Sequence, residues 1–155
     1  MSIKTFGVIG AGQMGNGIAQ VAAMSSLNVI MNDIKAEFVE RGLATITKIL
    51  TRSVDKAKMT ADERDAVLGR IKTSTDLQDM STADFVVEAA TENEALKFKI
   101  FKDLDKICKA GVILATNTSS IPIGRIANQT HRPEKVIGMH FMNPVPVMRL
   151  VEVIP

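Results

Sequence analysis

Cysteine is nearly absent from this sequence, since Cys108 is the only one among 155 residues. A single cysteine excludes an internal disulfide and favours a reducing compartment, so we expect a cytoplasmic protein. Cys108 occupies an apolar position of a helical pattern, which predicts a buried structural thiol.

Long apolar runs and a strong excess of one charge are also missing. No run approaches the roughly 18 apolar residues of a membrane span, and the N-terminal MSIKTFGVIGAG lacks the features of a signal peptide. The 19 Lys and Arg residues nearly balance the 17 Asp and Glu residues, so the basic footprint of a nucleic-acid-binding protein is absent. We therefore expect neither a membrane nor a nucleic acid as partner, and we predict no metal site.

Short apolar runs alternate with longer stretches of helical period, a pattern typical of a parallel sheet covered by helices. No repeat, low-complexity segment or linker divides the chain, so we predict one α/β domain over residues 1–155. The predicted strands are TFGVIG, NVIMND, DFVVEAA, GVILATN, KVIGMHF and RLVEVI.

Residues 34–70 interrupt this alternation with a longer helical pattern. Its outward face carries Lys48, Arg52 and Lys56 at intervals of four residues. TADE at residues 60–63 matches a capping box that begins a second helix. We interpret the segment as a helical hairpin inserted after the second strand.

A later helix is predicted to begin at a second capping pattern, formed by Thr91 and Glu94. Lys97 falls beside its apolar face, where the pattern alone predicts a solvated side chain. The predicted inner face comprises Leu96, Ile100, Leu104 and Ile107.

The turn after the first strand has the GxGxxG spacing, with Gly10, Gly12 and Gly15. The first glycine permits a tight turn, the second lets the backbone approach a pyrophosphate, and the third lets the following helix pack closely. Asp33 ends the next strand about 20 residues later, where a carboxylate accepts hydrogen bonds from an adenosine ribose. Asp33 would repel a 2′-phosphate, which favours NAD over NADP, whereas Lys35 would attract one. The alternative is a glycine-rich turn without a ligand.

The strand, glycine turn, helix and second strand together form a βαβ unit. We therefore predict a Rossmann-type doubly wound, mostly parallel sheet. The helical hairpin follows its second strand, and the last two predicted strands form an antiparallel pair.

A histidine and a glutamate lie in these last two apolar runs. His140 follows VIGM and Glu152 lies within LVEVI, with an Asn-Pro-containing loop between them. If the runs pair as an antiparallel hairpin, His140 and Glu152 face each other. The glutamate would then fix the imidazole tautomer and stabilise its protonated form, as a general base requires. The alternative is a structural histidine and a glutamate at an exposed strand edge.

The motifs GAGQMGNGIAQ, VVEAATEN, NTSS and HFMNPVPVMRLVEVI resemble those of the 3-hydroxyacyl-CoA dehydrogenases, in particular the bacterial 3-hydroxybutyryl-CoA branch. The resemblance covers the whole chain and implies an NAD-dependent interconversion of (3S)-3-hydroxyacyl-CoA and 3-oxoacyl-CoA. It implies that His140 takes the proton of the 3-hydroxyl group while Glu152 steadies the charged imidazole. It also implies a helical C-terminal domain, absent here, that completes the acyl-CoA cleft and forms a homodimer. We expect this chain alone to bind NAD with little or no turnover.

The resemblance assigns further site residues. It places Ser119 and Asn143 at the reacting substrate and the nicotinamide end, and coenzyme A near the helical hairpin, where Arg52 and Lys56 are candidates. Each has a structural alternative: Ser119 as a helix cap, Asn143 as a turn residue, and the two basic residues as a solvated face. The implied cofactor-binding residues are Gly10, Gly12, Gln13, Met14, Gly15, Asp33, Ala90, Glu92, Lys97, Asn117, Ser119 and Asn143.

Two other functions are compatible with the nucleotide-binding pattern. One is a non-enzymatic dinucleotide-binding module, such as a redox sensor, that kept the fold without the reaction. The other is a Rossmann-type dehydrogenase acting on a small hydroxy acid. A dependence on coenzyme A distinguishes the second from the acyl-CoA enzyme.

Overall fold

A computed structural model of the chain describes residues 2–118 and 120–141, and the backbone of residues 151–154. Its strands form one sheet in the order 3-2-1-4-5-6-7, in which the first six are parallel and the seventh is antiparallel to the sixth. This confirms the predicted doubly wound sheet and its antiparallel C-terminal pair. The strands are β1 (Thr5–Ile9), β2 (Asn28–Asn32), β3 (Ile71–Ser74), β4 (Phe85–Glu88), β5 (Ile113–Thr116), β6 (Val136–Phe141) and β7 (Val151–Ile154).

The helices cover both faces of the sheet. Val8 and Ile46 belong to the core on one face, whereas Phe101 and Leu104 belong to the core on the other. Among the described residues, no helix combines the length and apolarity needed to cross a membrane. The helices are α1 (Gln13–Met24), α2 (Ala36–Asp55), α3 (Ala61–Gly69), α4 (Glu94–Ile107) and α5 (Ile123–Ala127), with 3₁₀ turns at Leu77–Thr82 and Pro133–Lys135.

The predicted helical hairpin consists of α2 and α3. Thr60 caps α3 as the sequence predicts: its hydroxyl accepts from the Glu63 N–H at 3.1 Å, and the Glu63 carboxylate accepts from the Thr60 N–H at 3.1 Å. Strand β3 was not predicted, because its four residues include the polar Lys72 and Thr73 and make no apolar run. The hairpin therefore returns the chain to the sheet edge beside β2.

The predicted N-cap residue of α4 is wrong. Asn93, rather than Thr91, caps the helix, and its side-chain oxygen accepts from the Leu96 N–H at 3.0 Å. The buried face is rotated by about one residue from the predicted one, since Lys97 and Phe101 are fully buried. The predicted inner residues Leu96 and Ile100 are only half-buried because they line a cleft beside the sheet.

Cys108 lies at the end of α4 and is 6% exposed, which confirms the predicted buried thiol. Burial raises the pKa of this thiol to about 11. A thiol with so high a pKa stays protonated at neutral pH and is a poor nucleophile. Cys108 therefore contributes packing rather than chemistry.

Arg132 closes the C-terminal end of α4. Its guanidinium pairs with the Asp105 carboxylate at 2.7 Å and donates to four carbonyl oxygens of the segment 105–112. Burial raises the pKa of Asp105, but hydrogen bonds from the His131 N–H and the Arg132 guanidinium lower it by more. The pKa of Asp105 is therefore below its ordinary value of 3.8. The pair thus joins α4 to the chain that enters β6.

Arg132→Met should lower the free energy of unfolding by about 2–3 kcal/mol at pH 7, because Asp105 and four carbonyl oxygens of the segment 105–112 lose the guanidinium donor. A carboxyl whose folded pKa is lowered stabilises above its unfolded pKa and loses that contribution as pH falls through the folded value. The difference in the free energy of unfolding between wild type and variant should therefore become smaller below pH 3.8. Urea unfolding at pH 7 and pH 3 measures this, and an equal difference at both pH values contradicts it.

Candidate cofactor and active site

The carboxyl ends of the parallel strands meet at one edge of the sheet. Strand order reverses between β1 and β4, and in doubly wound sheets ligands bind outside the strand ends at such a switch point. The glycine turn follows β1, Asp33 follows β2, and His140 lies near the end of β6. One edge thus carries most of the predicted site residues that the structure describes.

The three glycines of the turn after β1 have different surroundings. Gly10 has φ of +100°, and a Cβ on it would lie 2.7 Å from the Ala89 carbonyl oxygen. A Cβ on Gly15 would lie 1.8 Å from the Gly10 carbonyl oxygen, so only glycine lets α1 approach the turn this closely. A Cβ on Gly12 would meet no atom of the described residues within 4 Å. The fold itself therefore requires Gly10 and Gly15, whereas Gly12 faces open space.

Helix α1 begins beside this open space. Its first residues, Gln13 and Met14, have backbone N–H groups without partners inside the helix, as at every helix start. No side chain of the described residues caps the helix, and its first turn contains no acidic residue. The N-terminal end of α1 therefore offers N–H groups and a positive dipole end to an anion placed over Gly12.

Asp33 is held in place by backbone donors at the end of β2. Its Oδ2 accepts from the Ala11 N–H at 2.9 Å, and its Oδ1 accepts from the Ile34 N–H at 2.7 Å. Each carboxylate oxygen has a second lone pair, so both can accept from a further hydroxyl group. The structure thus fixes the acceptor that the sequence assigns to an adenosine ribose.

A cleft of about 440 Å³ opens beside Asp33. Apolar side chains form its walls, while Lys99 and Asp103 of α4 stand among the lining residues. A flat heterocycle with a polar rim suits such a lining. The lining residues that argue for this are Gly10, Gly12, Asp33, Ile34, Phe38, Ala90, Leu96 and Ile100.

A fully buried ion pair lies behind the turn between β4 and α4. Lys97 Nζ is 2.5 Å from Glu88 Oε2, and the two side chains are 1% and 0% exposed. Glu88 Oε2 also accepts from the Ala90 N–H at 2.7 Å, and Glu88 Oε1 accepts from the Thr116 hydroxyl at 2.7 Å. Lys97, predicted as a cofactor residue, is therefore the buried partner of a carboxylate that the sequence analysis did not single out.

Glu92 connects this ion pair with the segment after β5. Its Oε1 is 3.5 Å from Lys97 Nζ, and its Oε2 accepts from the hydroxyls of Thr118, at 2.6 Å, and Ser120. Burial raises the pKa of Glu92, but these two hydroxyl hydrogen bonds and the Lys97 ammonium outweigh it and lower the pKa. Glu92 is consequently a carboxylate at neutral pH, half-exposed at the rim of the site.

His140 lies next to the same segment. Its Nε2 is 2.5 Å from the Thr118 carbonyl oxygen, and a carbonyl only accepts, so this nitrogen carries the proton in this arrangement. The β6–β7 register pairs His140 directly with Glu152, which confirms the predicted juxtaposition of the two positions. The other histidine, His131, is exposed on the surface, as a loop residue should be.

Asn117 joins the ends of β5 and β6. Its backbone N–H donates to the Glu88 carbonyl at 2.9 Å, and its side-chain oxygen accepts from the Phe141 N–H at 3.0 Å. The predicted residues Ser119 and Asn143 lie outside the described residues. The site as described therefore extends from Asp33 through the glycine turn to Asn117 and His140.

Arg52 and Lys56 are not part of this edge. Both are exposed, near the C-terminal end of α2. A helix rises about 1.5 Å per residue, so Arg52 lies roughly 24 Å along the axis from the start of α2. The structure thus places these two basic residues on a separate, exposed surface.

Comparison with known proteins assigns the chain to a family. The sequence model of "3-hydroxyacyl-CoA dehydrogenase, NAD binding domain" matches residues 5–155. The chain belongs to this family. NAD is therefore its cofactor, as the glycine turn and Asp33 predicted.

Individual relatives agree with this assignment. The chain is 56% identical over 149 residues to a probable 3-hydroxybutyryl-CoA dehydrogenase of Deinococcus radiodurans, covering 96% of this chain and 53% of the relative. It is 49% identical over 152 residues to the 3-hydroxybutyryl-CoA dehydrogenase of Bradyrhizobium diazoefficiens, and the match covers 98% of this chain and 52% of that relative. The crystal structure of (S)-3-hydroxybutyryl-CoA dehydrogenase PaaH1 from Ralstonia eutropha superposes with a TM-score of 0.95 at 51% identity, covering 98% and 54%. The chain thus spans about half the length of these relatives.

Proposed function

We propose that this chain is the NAD(H)-binding and proton-transferring half of a 3-hydroxyacyl-CoA dehydrogenase, with 3-hydroxybutyryl-CoA and acetoacetyl-CoA as its substrate pair. The observation that carries the proposal is the common sheet edge, with the open glycine turn toward one end and His140 toward the other. Four strand spacings separate β2 from β6, which is roughly 19 Å at about 4.8 Å per spacing. An extended dinucleotide fits along such an edge.

The residues of the edge would hold NAD in order along its length. Asp33 would accept from the adenosine ribose, and Ile34 and Phe38 would contact the base. Backbone N–H groups at the start of α1 would bind the pyrophosphate over Gly12. The other residues proposed to contact the cofactor are Gln13, Met14, Gly15, Ala90, Glu92, Lys97, Asn117, Ser119 and Asn143.

His140 would exchange the proton of the reaction. When bound, NAD supplies the hydride acceptor for the substrate C3. In the oxidative direction the substrate hydroxyl proton passes to a ring nitrogen of His140, and in the reductive direction His140 returns it to the 3-oxo oxygen. A substrate oxygen would then replace the Thr118 carbonyl as hydrogen-bond partner. Glu152, directly opposite in the register, would stabilise the imidazolium.

The acyl-CoA would meet residues from two regions of the chain. Ser119 and Asn143 would hydrogen-bond the reacting end, whereas Arg52 and Lys56 would attract the phosphates of coenzyme A. We also propose that turnover needs a second, helical domain that closes the acyl side of the site and supports a homodimer. The relatives are about twice as long as this chain, which supports a second domain.

NADH oxidation with acetoacetyl-CoA tests the proposal. The chain alone should bind NADH, detected by nucleotide fluorescence, with little turnover, and addition of a relative's separately expressed second half should produce activity. The same assay with acetoacetate in place of its CoA ester should stay inactive. Tight NADH binding without turnover in any combination would favour a dinucleotide-sensing module instead.

A further inference from the structure

We propose that Glu88 is a positioning residue of the cofactor site, which acts through Lys97 to set the turn between β4 and α4. This inference rests on the proposed function, since it concerns the same NAD site. Glu88 does not line the cleft, yet its carboxylate is fully buried and bonded on both oxygens. Its effect on the cofactor must therefore pass through its partners.

A buried ion pair needs a reason other than stability. Removing two charges from water costs about as much as their attraction returns, and apolar residues of similar size often serve a core equally well. The neighbours of Lys97 on the buried face of α4 are apolar, namely Phe101 and Leu104. A leucine and a methionine would suit such a position, so a gain in packing does not explain the pair.

What the pair does control is the conformation of the turn. Ala90 donates its N–H to Glu88 Oε2 at 2.7 Å and accepts from Lys97 Nζ at 3.2 Å through its carbonyl. Both sides of this residue are thus held by opposite charges of one ion pair. Ala90 lines the cleft beside Gly10, so the pair sets one wall of the cofactor site.

The same ammonium extends the arrangement toward His140. Lys97 lies 3.5 Å from Glu92, which accepts from the Thr118 hydroxyl at 2.6 Å. The carbonyl of Thr118 in turn contacts His140. A single buried carboxylate, Glu88, thus orders groups from Ala90 beside the glycine turn to Thr118 beside His140.

Three variants separate positioning from folding: Glu88→Gln, Lys97→Met and the double variant. Glu88→Gln leaves the buried Lys97 without its carboxylate partner, and Lys97→Met leaves the buried Glu88 without its ammonium partner. Each single variant should therefore lower the urea concentration at the unfolding midpoint. The double variant leaves no buried charge unpaired, since Glu92 is half-exposed and keeps the hydroxyl hydrogen bonds of Thr118 and Ser120. Glutamine at position 88 still offers an acceptor to the Ala90 N–H and a donor to Thr116. Its unfolding midpoint should return close to that of wild type.

In the double variant, NADH affinity should stay low although stability is restored. In the double variant we expect an NADH Kd at least roughly tenfold above wild type, about what the loss of one charge-assisted hydrogen bond gives. The Kd for ADP should rise clearly less than the Kd for NADH, because ADP would meet the wall set by Ala90 but not the Glu92, Thr118 and His140 side of the site. Lys102→Met, an exposed change on the same helix, is the matched control and should alter none of these values.

Recovery of NADH affinity together with stability would overturn the inference, and so would a parallel loss of NADH and ADP affinity. Lys97→Arg keeps the positive charge but moves it, because the guanidinium is larger than the ammonium. The ratio of the NADH Kd to the ADP Kd should rise in this variant, which provides a test even if the other variants do not fold. A wild-type ratio in Lys97→Arg also overturns the inference. Failure of the wild-type chain to bind NADH would instead contradict the proposed function.

Discussion

Replacing His140 with glutamine should lower the rate of NADH oxidation with acetoacetyl-CoA by a factor of roughly 10²–10⁴ in the complemented assembly. Glutamine can donate to the Thr118 carbonyl as the imidazole does, so the fold keeps its contact at this point. It cannot exchange a proton near neutral pH, which removes the transfer to the 3-oxo oxygen. NADH affinity should change less than about twofold, because the loss concerns a transition-state interaction.

Glu152→Gln tests the contribution of the charge opposite His140. Glutamine at this position removes a charge that matters mainly when imidazolium forms, so kcat should fall less than in His140→Gln while NADH affinity again stays constant. Both variants need a measured unfolding midpoint. If the loss of rate in His140→Gln were matched by a loss of NADH affinity or of stability, a structural histidine would be the better interpretation.

Features predicted correctly from the sequence depend on short-range patterns. The glycine turn, the Thr60 capping box and the opposed positions of His140 and Glu152 each follow from spacing within one loop or hairpin. Such spacing fixes geometry because a turn of given length permits few backbone conformations. The family resemblance added residue roles, whereas the pairing of His140 with Glu152 follows from local spacing alone.

Features that the sequence analysis missed depend on contacts across elements. Glu88 and Lys97 meet only because α4 is rotated by about one residue from the apolar pattern, which places the lysine inward. Periodicity assigns a lysine beside an apolar face to solvent, since a buried charge is costly without its partner. The signal that was available is the glutamate inside the apolar run FVVEAA, because a carboxylate in a buried parallel strand needs a cation nearby.

Thr118 was missed for a different reason. Its role comes from the backbone carbonyl toward His140 and from a hydroxyl toward Glu92, and a carbonyl carries no side-chain signature. The loop after β5 becomes part of the site only when β6 is placed next to β5 in the sheet. Strand order, rather than composition, therefore brings this segment to the histidine.

Gly15→Ala should abolish measurable NADH binding and lower the free energy of unfolding by more than about 3 kcal/mol. The added Cβ would lie 1.8 Å from the Gly10 carbonyl oxygen, and this obstacle is backbone rather than a movable side chain. Alanine favours helices over glycine by about 1 kcal/mol, but this gain is smaller than the cost of displacing α1 from β1. Urea unfolding and NADH fluorescence titration measure the two effects.

Gly12→Ala is the matched control, because the same methyl group at Gly12 meets no atom within 4 Å in the part of the chain that the structure describes. Its stability should stay within about 1 kcal/mol of wild type, while NADH affinity should fall, since the methyl group occupies the space proposed for the pyrophosphate. Full NADH affinity in a stable Gly12→Ala chain would show that the phosphates do not pass over this turn. Two glycines of one motif thus separate two requirements: Gly15 lets the helix pack against the strand, and Gly12 would leave room for the proposed pyrophosphate.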